Sequence, residues 1–478
     1  MALEVSSNDG MSKTPLASSQ PHPEHENKPR MTYLSGVELW AVLISVTLVS
    51  FVMLLDMTII VTAIPQITDE FKSLSDIGWY GSAYTLASAA LQPLTGKLYS
   101  HLTAYVGSVA GPLIGGAFTE YATWRWCFWI NLPIGGVACV ALLATSIPER
   151  SLKRSSLLGL FSFLDLPGFV LLATAVIMIL LALHYGSSQH GWDSALVIGL
   201  LCGGFVTTIS FAFWERWRKE KAMIPPLLLS ARVVWSSCLV AGFMASTLLV
   251  QSYYLPIYFQ VVRNVSPTPS GVYLLPSILG QLVSSAMSGI LVSKTGYCLP
   301  LVLLSGIMVA IAGGILSLLD SNTPTAQWVG YQILLGFGRG IGIQMPMIAV
   351  QAALDPDMMP IGMSLIIFSQ TFGASIFLTV ANVVFNDQLK SAISHLAPKV
   401  STDDITGAGA TVFRAFVPEE YIPLVLEAYT GALNSVFYLS SALAVMYFCF
   451  SWGMGWTDIR EEDESYQKRG MLADFNNI

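Results

Sequence analysis

Residues 299–319 read LPLVLLSGIMVAIAGGILSLL, twenty-one positions without one charged side chain. A stretch of that length crosses a hydrocarbon core of about 30 Å when it is helical and rises about 1.5 Å per residue. Hydrocarbon offers the backbone no hydrogen-bond partner, so such a stretch must satisfy its own amides. The apolar residues cover nearly every face, which excludes the alternating pattern of a membrane barrel strand.

Working outward, the same reading applies to segments at 38–64, 79–98, 104–119, 124–147, 166–185, 192–214, 233–259, 271–293, 326–353, 361–385 and 431–456. The chain is therefore an all-α integral membrane protein of about 12 spans. The segment at 104–119 is short for a span. Composition agrees: 54% of residues are hydrophobic, 11% are charged and mean hydropathy is +0.62, whereas soluble domains carry about 25% charged residues. A net charge of −7 argues against nucleic acid as a partner.

Basic residues set the orientation. With the amino terminus in the cytosol, sixteen Lys and Arg fall on the cytosolic side and six outside, leaving Arg339 within a span. Both termini are then cytosolic. Residues 1–36 are polar and expected to be disordered. Residues 37–150 form an amino-terminal helical half, 151–232 a linker with two extra spans, 233–456 a carboxyl-terminal half of six helices, and 457–478 a tail. The loop at 386–430 falls outside and is expected to form a small amphipathic lid. The six cysteines include no CxxC pair, so neither a metal site nor a disulfide framework is indicated. No GxxxxGK[ST] sequence occurs, and no cofactor is expected.

Four stretches carry a family likeness. Leu55-Asp56-Met57-Thr58-Ile59-Ile60 leads to Ala63-Ile64-Pro65 in the first span. Gly107 precedes Gly111-Pro112-Leu113-Ile114-Gly115-Gly116. Residues 123–136 read TWRWCFWINLPIGG. Residues 330–346 place Gly336, Gly338, Arg339, Gly340 and Gly342 before Gln344-Met345-Pro346. On these residues the chain resembles the fourteen-span drug:proton antiporters of the major facilitator superfamily, in their fungal toxin-efflux branch, over about residues 36–456. Weak similarity between Gly96-Lys97-Leu98-Tyr99-Ser100 and Gly289-Ile290-Leu291-Val292-Ser293-Lys294 fits the two related halves of such transporters.

The likeness has a gap. In the family two full helices follow the loop that opens at Gly96-Lys97. Here His101 to Val106 runs almost directly into the glycine-rich motif. The missing length is roughly 60 residues at about 20 per span. The expected fold is thus a major facilitator bundle of about 12 spans where the family has 14.

Candidate functional residues follow from cost. Asp56 and Arg339 are charges inside spans, which are expensive and usually functional, so both are candidates for proton coupling. The plainer alternatives are an Asp56 that reaches headgroups and an Arg339 that snorkels. Gly107, Gly111, Pro112, Gly115 and Gly116 match the family's antiporter motif; otherwise they form a kinked linker. Trp124, Trp126 and Trp129 suit anchoring at a membrane interface. Gln251, Tyr254, Gln281, Gln344, Gln370 and Phe372 are candidates for a cavity that takes amphiphilic molecules, against plain interhelical hydrogen bonding. Asn264 opens the sequon Asn264-Val265-Ser266, whose following Pro267 and closeness to the membrane disfavour glycosylation.

The resemblance implies a monomeric secondary exporter of small amphiphilic organic molecules, driven by protons, in the plasma membrane or a vacuolar membrane. A membrane enzyme would need clustered His, Asp or Glu beside the spans, and His184 and His190 have no such company. The gap leaves a non-transporting truncated form as the competing expectation.

Overall fold

The computed structural model describes residues 58–77, 79–81, 101–143, 165–188, 191–218, 230–355, 358–402, 410–415, 417–456 and 458–460, with Leu48, Val52, Leu55, Leu228 and Ile405 as single positions. Among the described residues eight helices are long and apolar enough to cross a membrane. The one β contact there is an isolated bridge between Tyr297 and Asp458.

The amino-terminal part starts with α1 (residues 58–71). It ends at Lys72, whose φ is 51°, and the Ser73 N–H returns to the Thr68 carbonyl at 3.0 Å. That left-handed close satisfies a carbonyl that the helix end would leave bare. Next comes α2 (His101–Tyr121), 21 residues long. The segment expected to be short is therefore a helix of spanning length. Its extra turns come from His101 to Thr103 and Glu120 to Tyr121, polar ends that an apolar window leaves out. The segment read as one span at 124–147 is described in two pieces, α3 (Trp126–Trp129) and α4 (Asn131–Leu143).

The hairpin α5 (Leu166–Ser188) and α6 (Ala195–Arg218) follows. Its base is tied by Asp165, which accepts from the Trp214 indole at 3.0 Å and pairs with Arg218 at 3.5 Å. Helix α5 lies against the long helix Met359–Leu396.

Six spans make up the rest, over 232–262, 267–295, 299–316, 325–353, 359–396 and 422–454. The first is α7 (Arg232–Ile257), which continues as a π-turn, Tyr258–Val262. The second is broken at Leu274 into α8 (Pro267–Tyr273) and α9 (Leu275–Thr295). The third is α10 (Leu299–Leu316). The fourth is broken at Ile343 and Gln344 into α11 (Thr325–Gly342) and α12 (Met345–Ala353). The last two are α13 (Met359–Leu396) and α14 (Ile422–Ser451). Helix α13 is 38 residues long, about 57 Å at 1.5 Å per residue, so it outruns the 361–385 read from hydropathy. Helix α14 begins nine residues before the expected 431.

In lipid the hydrophobic effect does not draw helices together, so packing and interhelical hydrogen bonds must. Glycine spacing on α11 supplies the packing. A Cβ on Gly336 or Gly340 would strike the Ser277 carbonyl or the Gln281 carbonyl of α9. A Cβ on Gly338 or Gly342 would meet Met308, Val309 and Ser305 of α10. Two pairs at i,i+4 spacing, offset by two residues, thus press one helix against two neighbours at backbone distance. Helices α7 and α13 cross likewise, with a Cβ on Gly373 lying 2.8 Å from the Gly242 carbonyl.

Candidate functional site

Arg339 is 4% exposed in the middle of this packing. Its flanking glycines let α9 and α10 close in, and its side chain reaches across to α7. There Nη2 donates to the Thr247 carbonyl at 3.0 Å and to the Gln251 side-chain oxygen. Among the described residues Arg339 forms no ion pair. A guanidinium in a low-dielectric interior is costly unless it is paired. Here the Thr247 carbonyl and the Gln251 amide oxygen take the place a carboxylate would otherwise fill, and Tyr447 of α14 lies nearby. The Tyr447 hydroxyl is itself shared with Ser305 of α10 at 3.1 Å. Arg339 Nε, Gln251 Nε2 and the Tyr254 hydroxyl are buried without a hydrogen-bond partner among the described residues. The reading of a snorkelling Arg339 is not how the residue sits.

The glycine motif of α2 lies between the two parts of the molecule. A Cβ on Gly111 would strike the Thr58 hydroxyl, and one on Gly115 the Ile59 carbonyl, both on α1. On the other side, a Cβ on Gly116 would lie 2.7 Å from the Pro267 carbonyl at the start of α8. Gly271 of α8 answers by packing on the Pro112 carbonyl. Gly107 lies in the same helix, one turn before Gly111. The motif is therefore a seam joining α1 to α8, built by removing side chains.

Polar bonds continue that seam at the end which the charge bias assigns to the outside. Glu120 accepts from the Ser266 hydroxyl at 3.1 Å and from the Thr268 N–H at 3.0 Å. Gln260 of the π-turn donates to the Thr62 carbonyl of α1 at 3.1 Å. Glu70, at the end of α1, accepts from Arg125 at 2.7 Å and from the Trp124 indole at 2.5 Å. Arg125 also lies over the Trp124 ring, 4.6 Å from its centre. Trp124 and Arg125 thus clamp α1, which gives Trp124 a role wider than the anchoring read from the sequence. Trp126 and Trp129 are exposed, edge to face at 5.7 Å, as an interface belt would have them.

The other candidates separate into two groups. Gln251 and Tyr254 are fully buried, and Gln251 is engaged by Arg339. Gln281 on α9, Gln344 at the break between α11 and α12, and Gln370 and Phe372 on α13 are half-buried. Phe372 stacks on Phe368 at 5.5 Å. The break at Gln344 is fixed locally by Pro346, which has no amide hydrogen to continue the helix. Asn264 is exposed with φ 54°, and the Ser266 hydroxyl of its sequon is held by Glu120. Asp56 lies outside the described residues.

Sequence reasoning missed Asp69, Glu70, Gln260, Thr411 and Arg414. Each is an ordinary polar residue near a helix end, and its partner is distant in the chain: 342 positions separate Asp69 from Thr411.

Comparison with known proteins bears on this arrangement. The family model described as Major Facilitator Superfamily matches residues 99–378, more than half of the chain. The chain is 42% identical to "Efflux pump mlcE" of Penicillium citrinum, covering 94% of this chain and 98% of that protein. It is 43% identical to "Efflux pump mokI" of Monascus pilosus, covering 91% and 96%. It is also 43% identical to "MFS-type transporter pigP" of Monascus ruber, covering 90% and 88%. The first of these alignments runs over 540 positions, more than the 478 residues of this chain, so that relative carries residues with no counterpart here. Among solved structures, a bacterial homologue of the human lysosomal transporter Spinster, inward-facing and unoccupied, is similar with a TM-score of 0.54 at 14% identity. That match covers 89% of this chain and 100% of the other, and it supports the fold alone.

Proposed function

The chain belongs to the major facilitator superfamily, and from that membership we propose that it exports small amphiphilic organic molecules, of the secondary-metabolite class, in exchange for protons. It is a multi-pass membrane transporter and not an enzyme. The observation that carries the proposal is near-full-length similarity to fungal efflux pumps, together with a buried guanidinium set beside unspent donors. Arg339 Nε, Gln251 Nε2 and the Tyr254 hydroxyl are groups that a polar ligand atom or water can satisfy.

In this reading Gln281, Gln344, Gln370 and Phe372 supply the amide and aromatic surface for the amphiphile. Arg339 and Asp56 couple transport to protons. The glycine seam of α2 is where the two halves hinge, since packing at backbone distance is lost by a small separation. The protein works as a monomer in the plasma membrane, with both termini in the cytosol. The test is efflux of a fluorescent amphiphile such as rhodamine 6G from yeast lacking its own exporters. Efflux that stops when a protonophore collapses the gradient supports the proposal. Efflux unaffected by the protonophore defeats proton coupling.

One observation favours a second reading, a non-transporting shortened form. The relative's alignment is longer than this chain. The same assay decides: no efflux from this chain, beside efflux from a version carrying the two extra helices, establishes the second reading.

A further inference from the structure

The segment between α13 and α14 is more than a cover. Ile405, Ala410 and Phe413 are fully buried. Phe413 stacks on Tyr429 of α14 at 5.2 Å, with planes 24° apart. Arg414 donates to the Val261 carbonyl of the π-turn at 2.8 Å. These contacts fasten one side of the segment to the carboxyl-terminal bundle.

Its other side grips α1. The Thr411 N–H donates to Asp69 Oδ1 at 2.9 Å, and the Thr411 hydroxyl donates to Asp69 Oδ2. The Ala410 N–H donates to the Thr68 hydroxyl at 3.2 Å. One short stretch, 410–414, therefore bridges α1 to α7 and α14 across the outer end. A motion that parts those ends must break the bridge on one side. Among the described residues the α1 side is held by hydrogen bonds to Thr68 and Asp69, and the other side adds the buried Phe413 ring on Tyr429.

We propose that Asp69 and Thr411 form a latch that holds the outer ends together and must open in each transport cycle. This rests on the exporter reading above. The latch depends on charge, because an ionised carboxylate accepts both Thr411 hydrogens strongly and a protonated one does not. Among the described residues the groups facing Asp69 are the amides of 410–412 and the Thr411 hydroxyl from the segment, and Tyr429 from α14. On α1 the neighbouring Glu70 is turned to Arg125. Burial raises the Asp69 pKa above the ordinary carboxylate value, and the bonds from Thr411 offset part of that rise. Acid on the outer side then loosens the latch.

The experiment reads accessibility, not transport. A Ser270→Cys reporter lies in the buried seam where α8 meets α2. It is placed in full-length protein whose six native cysteines are replaced by alanine, purified in detergent as a monodisperse peak. Maleimide labelling of the reporter should quicken about fivefold on Asp69→Ala and on Thr411→Val, as expected for losing charge-assisted bonds. Thr411→Ser, which keeps both donors, should label at the parent rate. As pH is lowered from neutrality the parent should approach the rate of Asp69→Asn, a ratio in which the thiol's own titration cancels. If Asp69→Ala does not yield monodisperse protein, Asp69→Asn at pH 7.5 serves in its place. Unchanged labelling in the folded variants overturns the latch. Failure of export with quickened labelling would instead count against the exporter reading alone.

Discussion

Arg339 donates to the backbone carbonyl of Thr247 at 3.0 Å, from one helix of the carboxyl-terminal bundle to another. The acceptor is already part of a helix, so the bond adds a charged donor to a satisfied carbonyl rather than rescuing a bare one. Its worth lies in holding the guanidinium, and with it Gln251, in a fixed place.

Arg339→Ala should therefore abolish efflux, by about tenfold or more, while leaving membrane insertion intact, because the span keeps its apolar length. Arg339→Lys should recover little, since an ammonium lacks the planar fork. Amphiphile efflux from cells, read beside surface expression, checks both. Full efflux in the alanine variant would sink the coupling role.

Gly336→Ala and Gly340→Ala should each destabilise the protein by about 1–3 kcal/mol, the usual cost of overpacking. The new methyl groups would collide with the carbonyls of Ser277 and Gln281. Gly330→Ala, on the same helix with open space around it, should be neutral or slightly stabilising. Thermal melting in detergent measures the contrast, and equal effects at all three positions would refute it.

Gly115→Ala should stop efflux by wedging α2 away from the Ile59 carbonyl of α1. Gly136→Ala, with nothing within 4 Å among the described residues, should export normally. The comparison separates a seam from a merely glycine-rich helix.

The pair at Glu70 gives a pH signature. Hydrogen bonds from Arg125, then Trp124, hold the Glu70 carboxyl below its ordinary value of 4.5. A carboxyl depressed by folding contributes stability that is complete above its unfolded pKa. That contribution is lost as pH falls through the lower, folded value. The difference in Tm between the parent and Glu70→Gln should be steady near neutrality and should shrink below about pH 4.5. A difference that grows on acidification would contradict the assignment.

The spans were legible because hydrocarbon constrains composition directly, and residues 299–319 could hardly be anything else. Helix ends were not. Residues 386–396 of α13 and 422–430 of α14 stand beyond the apolar window and are helical for reasons of packing, with Asn386, Leu389 and Ile393 buried. Gly336 to Gly342 announced close approach, but only the structure assigns alternate glycines to α9 and α10. The tryptophans misled in part, since an indole serves a headgroup and a carboxylate equally well. The lid expected at 386–430 illustrates the limit most clearly. Thr411 within it is bonded to Asp69, and no local pattern links residues so far apart.

The two offset glycine pairs of α11 carry one more consequence. A helix pressed on both flanks behaves like a splined shaft in its sleeve. Turning it by one residue, about 100°, would drive Phe337 or Ile341 into grooves cut for glycine. Helices α9, α10 and α11 are thereby keyed together, and turning α11 in place would meet both neighbours at once.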